Sequence, residues 1–256
     1  MAEPLLEISG VTVRFGEIVA LDGVDLSVPA GRVVGVIGPN GAGKTTLFNV
    51  ICGFVRPQFG AITWKGEALR KHRAHDMAGI GIARTLQGLG LFPGLSVLEN
   101  VMVGGTAHAR TGLLSTLFAL PRADRDEAAL RDRAMERLEA LGIGDLADRP
   151  VGDVDHGSRK RIALARALLG EPELLLLDEP AAGLSEREIG ELADLLPSLA
   201  TSVVLVEHHM DFVRSVCHEV AVLDFGKRIA HGAPDTIRTD PAVITAYLGN
   251  EVGDDA

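Results

Sequence analysis

Gly38-Pro39-Asn40-Gly41-Ala42-Gly43-Lys44-Thr45 decides the fold. It fits G-x-x-x-x-G-K-[ST], the pattern of a phosphate-binding loop. Val33-Val34-Gly35-Val36-Ile37, just before it, reads as a short buried strand. Thr46-Leu47-Phe48-Asn49-Val50-Ile51, just after it, reads as the start of a helix. Strand, loop and helix in that order are the setting the motif requires. Glycines let the backbone fold round an anion with successive N–H groups pointing inward. The helix N-terminus adds the positive end of its dipole. In such a loop Lys44 reaches the β- and γ-phosphates of a nucleoside triphosphate, and the Thr45 hydroxyl holds Mg²⁺. The loop implies triphosphate binding; it does not say what the energy drives.

The bulk of the chain is consistent with that start. Its 256 residues suffice for one large domain, or one domain with a lobe. Apolar residues make up 46% and aromatics 4%, so the core must be mostly aliphatic, which suits α/β packing around Val/Ile/Leu strands. A net charge of −10 argues against a dedicated nucleic-acid binder. Cys52 and Cys217 lie far apart in no motif and read as small core residues in a reducing compartment. Met1-Ala2-Glu3-Pro4 carries no signal pattern, and no apolar run approaches a membrane span of about 18 residues. The expectation is a soluble, cytoplasmic protein that meets a membrane only through a partner.

Residues 5–30 alternate apolar and polar in two bouts, Leu6/Ile8 with Val11/Val13/Phe15 and then Val24/Leu26/Val28. That period predicts two half-exposed antiparallel strands. Gly60–Trp64 reads as another strand, closed by a Lys65-Gly66 turn. Residues 67–79 read as a short helix and loop. From 96 to 170 helical spacing takes over. Leu130, Ala134, Leu138 and Leu141 share one helical face, while Asp124–Glu127 forms its solvated first turn. Gly152–Gly157 reads as a loop and Ser158–Leu169 as a helix. The runs Leu174–Leu177, Val203–Val206 and Val220–Leu223 read as buried parallel strands. The tail from Gly249 reads as frayed. The fold class is therefore α/β: a P-loop NTPase core with an N-terminal antiparallel β subdomain and an inserted α-helical subdomain. Within one domain of 1–256, residues 5–87 and 171–248 form the nucleotide-binding core and 88–170 the helical part.

A second element strengthens the first. Leu174-Leu175-Leu176-Leu177-Asp178-Glu179 ends a buried strand with two carboxylates. Beside a phosphate loop, Asp178 holds the Mg²⁺ shell and Glu179 serves as general base for an attacking water. Gly157 lies 21 residues before Asp178, at the head of the helix Ser158–Leu169. Here the chain resembles the ABC-transporter ATPase subunits, whose five-residue signature, usually LSGGQ, opens such a helix at this spacing. The matching residues are Val154-Asp155-His156-Gly157-Ser158, of which Gly157 alone agrees with the common form.

The resemblance covers nearly the whole chain and implies further roles. Phe15 matches the aromatic that stacks on adenine. Gln87 matches the Q-loop residue that senses Mg²⁺ and faces the membrane partner. Ala181–Ser185 occupies the D-loop, and His208 matches the switch histidine at the γ-phosphate. Nucleotide contacts then comprise Phe15, Gly38, Asn40, Gly41, Ala42, Gly43, Lys44, Thr45, Thr46 and Asp178. Thr45, Gln87 and Asp178 hold Mg²⁺; Glu179, His208 and Gln87 form the catalytic set. Arg84–Gln87, Leu91-Phe92-Pro93, Val97–Val101, Pro180–Leu184, Glu207–Met210 and Ala246–Gly249 together look like the ATPase of branched-chain amino-acid importers. Such a subunit sits at the cytoplasmic face of the inner membrane, peripheral through transmembrane permease subunits. Gly88–Gly94, apolar and Gly-rich, suits a contact with the permease.

In this family each ATP is held between one subunit's phosphate loop and the signature of another. Asp155 stands where the signature serine is expected. An ionised carboxylate donates no hydrogen bond. It is a good helix N-cap, so it competes for N–H groups meant for phosphate. It also repels phosphate, by about 4 kcal/mol at 4 Å and an effective dielectric near 20. The implied partner is a second, different ATPase subunit; a homodimer stays open. Two rival readings also stay open. A non-transport ABC ATPase acting on DNA or the ribosome is opposed by the acidic balance and the single cassette. A non-hydrolysing regulatory subunit is favoured by the altered signature and opposed by Glu179 and His208.

Overall fold

The computed structural model describes residues 3–69, 72–85, 89–108 and 121–251. They fall into two compact units: Met1–Met77 with Leu176–Ala256, and Ala78–Leu175. Among the described residues no helix is long and apolar enough to cross a membrane.

The first unit carries two sheets. In one, β1 (Leu6–Phe15) pairs antiparallel with β2 (Ile18–Val28), Leu6 opposite Val28 and Ile8 opposite Leu26. The alternation of the sequence holds at the start of β1, where Leu6 and Ile8 are buried and Glu7 is exposed; past the register shifts of β1 it lapses, with Val11, Thr12 and Val13 all buried and Phe15 exposed. β4 (Phe59–Trp64) covers the other edge of β1, and β5 (Glu67–Ala68) extends it. In the second sheet, β3 (Val33–Ile37) lies between β8 (Ser202–Val206) and β9 (Glu219–Asp224), parallel to both. All residues of β3 and β8 are buried, as uninterrupted apolar runs require. β7 (Leu174–Asp178) follows β8, and β10 (Lys227–Gly232) runs antiparallel on the outer side of β9. The helices here are α1 (Lys44–Ile51), α5 (Glu186–Leu195), α6 (Met210–Val216), α7 (Pro234–Arg238) and α8 (Pro241–Glu251).

The second unit is mostly helical, with α2 (Val97–Met102), α3 (Pro121–Ala140) and α4 (His156–Leu169). Within this unit β6 (Ile82–Arg84) follows Gly81, whose carbonyl accepts from Leu174 N–H at 3.1 Å, Leu174 and Leu175 of β7 belonging to this unit. Ala134, Leu138 and Leu141 are buried, as the helical spacing predicts.

Two local expectations are corrected. Among the described residues of 67–79 there is no α-helix. Lys65 (φ 52°) and Gly66 (φ 77°) form a hairpin turn, so Glu67–Ala68 returns as β5; two short 3₁₀ turns follow, Ala74–Asp76 and Ala78–Ile80. The stretch expected as loop, Gly152–Gly157, holds a 3₁₀ turn at Val151–Asp153 and then the first two residues of α4. The helix starts early because Asp155 caps it.

Candidate functional site

β3 delivers the chain to the loop at Gly38, and α1 takes it away at Lys44. Two positions tolerate no side chain. A Cβ on Gly38 (φ 149°) would lie 2.0 Å from the Leu223 carbonyl oxygen. One on Gly43 (φ 103°) would lie 2.5 Å from that of Ala20. Gly43 is the left-handed N-cap of α1 and offers no side-chain cap. Ala42 ties the loop down: its N–H donates to Pro39 O at 3.2 Å, and its carbonyl accepts from Gly226 N–H at 3.1 Å. The Lys44 ammonium lies inside this turn, donating to Gly38 O at 2.7 Å and Pro39 O at 2.8 Å. Burial lowers its pKa; the negative charges of Glu179 and then Asp178 hold it back. Those two carboxylates therefore share the field of Lys44.

Asp178 is the buried last residue of β7. Glu179 follows with φ 49°, a strained value for a residue with a side chain, and its N–H donates to Val206 O at 2.9 Å. His208, just beyond β8, brings Nε2 within 3.3 Å of Glu179 Oε1. The adjacent His209 does different work: its Nδ1 accepts from Phe212 N–H at 3.4 Å and caps α6. The loop histidines are likewise structural. His72 Nε2 faces the carbonyls of Val50 and Ile51 at the end of α1, and His75 pairs with Asp76. Phe15 ends β1 with 51% of its surface exposed, so it is not a core residue. Gln87 lies outside the described residues.

The signature residues belong to the other unit. Asp155 (φ −65°) is the N-cap of α4. Its Oδ1 accepts the Ser158 N–H at 2.8 Å and its Oδ2 the Ser158 hydroxyl at 2.7 Å. These bonds, the hydroxyl's first, hold the carboxyl below the usual range. His156 is exposed and Gly157 buried.

The family described as "ABC transporter" matches residues 21–182. This chain belongs to it. A second family, described as "Branched-chain amino acid ATP-binding cassette transporter", matches residues 227–253. The chain is 40% identical to the high-affinity branched-chain amino acid transport ATP-binding protein BraF of Pseudomonas aeruginosa, covering 97% of this chain and 99% of that one. It is 38% identical to LivG of Escherichia coli K12, which carries the same description, at the same coverage. A solved nucleotide-free ATP-binding cassette from an ABC transporter superposes with a TM-score of 0.83 at 29% identity, covering 95% of this chain and 98% of that one.

The cassette also contains supporting residues that the sequence reading gave no role. Buried Asn100 on α2 holds the stretch before it, accepting from Phe92 N–H at 2.8 Å and donating to Ser96 O at 2.9 Å. Arg166 on α4 donates to Leu89 O at 2.6 Å and Gly90 O at 2.7 Å. Glu207 is buried between two loops of the site. A polar residue inside an apolar run is a weak signal for each, but the run alone does not reveal its partners.

Proposed function

We propose that this ABC ATPase binds and hydrolyses ATP to power an importer of branched-chain or other hydrophobic amino acids. The observation that carries hydrolysis is the Glu179–His208 pair, held at 3.3 Å in the field of Lys44. The solute class rests on the whole-chain likeness to BraF and LivG and on the C-terminal family match.

The residues supply a consistent division of labour. Gly38–Thr46 wraps the phosphates with backbone N–H groups, and the uncapped first turn of α1 adds its dipole. Lys44 leaves its two carbonyl partners for the β- and γ-phosphates. Glu179 accepts the proton of the attacking water, and His208 orients that carboxylate and contacts the γ-phosphate. Exposed Phe15 stacks on the base. Thr45, Asp178 and Gln87 would hold Mg²⁺; hard oxygen donors beside a buried carboxylate fit that ion. Bound there, Mg²⁺ neutralises charge developing on the phosphate oxygens.

The cassette works with permease subunits and another ATPase, and we infer that this ATPase is a different chain. Asp155 uses its carboxylate on its own helix terminus and presents negative charge where γ-phosphate would bind. A partner signature with a hydroxyl donor would complete the site over Gly38–Thr46. The cassette then lies peripherally at the cytoplasmic face, with Leu89–Gly94 as a permease contact; Phe92 is 48% exposed there.

Glu179→Gln in the purified transporter tests the hydrolytic reading. Turnover should fall by about a hundredfold or more while ATP binding persists. Unchanged turnover would remove Glu179 as the base.

A further inference from the structure

Glu207 follows β8 and is 1% exposed. Its partners are three backbone N–H groups. Oε1 accepts from Ala181 at 2.7 Å, and Oε2 accepts from His208 at 2.8 Å and His209 at 3.1 Å. Burying a carboxyl group is costly unless its lone pairs are used, and here both oxygens are used on loops that carry the chemistry. Its negative charge also reaches Cys217, where burial first and Glu207 second push the thiol up to about 12.

The positions of these donors matter. Ala181 lies two residues after Glu179, and His208 is the partner of Glu179. Glu207 thus ties the turn leaving β7 to the turn leaving β8. A second tie, Glu179 N–H to Val206 O, lies on the near side of the same turn. Between them Glu179 is held at φ 49°. Such backbone conformations persist only where surrounding contacts over-determine them. We propose that Glu207 is a positioning residue for hydrolysis, clasping the turn after Glu179 to the backbone of His208 and thereby setting the Glu179–His208 pair. The proposal rests on the reading of that pair as hydrolytic.

Glutamine cannot replace this clasp. Its amide has one accepting oxygen and one donating NH₂, whereas donors approach both oxygens of Glu207. One loop must be released. Steady-state ATPase assays on the complete transporter test this. E207Q should lower kcat by about ten- to a hundredfold, the scale of a small misplacement of reacting groups, with the KM for ATP within about twofold. E207D keeps both oxygens one methylene short and should fall between E207Q and wild type. In an H208A background, E207Q should cost less than about threefold more, because the pair it positions is already gone. Wild-type turnover in E207Q overturns the proposal, as does a KM rise that matches the fall in kcat. Equal fold-losses with and without His208 overturn it too. If E207Q does not accumulate folded, E207D carries the same test, a kcat-only loss that vanishes in H208A. Failure of the hydrolytic reading itself is distinct: E179Q would then turn over ATP like wild type.

Discussion

α1 begins at Gly43, which is left-handed and gives its first turn no side-chain cap, whereas α4 begins at Asp155, whose carboxylate takes both the N–H and the hydroxyl of Ser158. Neither helix has an acidic residue inside its first turn. The difference is therefore made at the cap. A glycine cap leaves the positive end of a helix for an outside anion, and a carboxylate cap satisfies that end internally. One terminus is left open to an outside anion and the other is satisfied by its own cap. The contrast favours a partner cassette whose signature carries a hydroxyl donor in place of this carboxylate.

The comparison breaks most severely at Gly38. Gly38→Ala drives a methyl group against the Leu223 carbonyl, 2.0 Å from the Cβ position. Backbone cannot yield as a flexible side chain does. We expect a loss of about 2–3 kcal/mol in stability and nucleotide affinity down by more than about a hundredfold, read by thermal unfolding and nucleotide titration. Retained affinity would mean that the loop is not built around that glycine.

Asp155→Ser sharpens the other side. Serine still caps α4, but it replaces a charge with a donor. With the partner ATPase present, turnover should rise about two- to tenfold, because one hydrogen bond contributes about 0.5–1.5 kcal/mol and about 1.36 kcal/mol is tenfold in rate. An unchanged or lower rate would show that Asp155 is not a handicap.

These two ends were not equally legible. Gly38–Thr45 is a local device: glycine spacing, the lysine and the flanking apolar runs all lie within 20 residues, so residue types alone specify it. β1, β3 and β8 were legible for a similar reason, from the alternation that opens at Leu6 and the short unbroken runs at Val33–Ile37 and Val203–Val206, whereas β6 and β10 carry no such pattern. The cap at Asp155 was visible as a propensity, but its effect on the helix start was not, and α4 begins two residues earlier than expected. β5 was missed because a two-residue strand has no period; the positive φ of Lys65 creates it. Glu207 was harder still. Next to His208 it reads as a polar strand end, and its function lies in a bond to Ala181, 26 residues away in the chain. Distant pairing of this kind leaves no trace in spacing.

The smallest expected effect isolates the α4 cap from phosphate chemistry. Asp155→Ala should lower stability at pH 7 by about 1 kcal/mol, the usual worth of an N-cap, or about 2–4 °C in Tm for a domain of this size. Asp155→Asn keeps the cap without the charge, so comparing it with wild type reports the ionised form alone. The folded carboxyl titrates below its ordinary value because Ser158 donates to it. A depressed pKa adds stability above the unfolded value, about 3.9, and that stability is lost as pH falls through the folded value. The Tm advantage of wild type over Asp155→Ala should therefore be constant from pH 7 to about pH 5 and shrink below about pH 4, while Asp155→Asn holds its own advantage throughout. A wild-type advantage that stayed flat to pH 3 would mean that the Ser158 bonds survive protonation, and the cap would then owe nothing to charge.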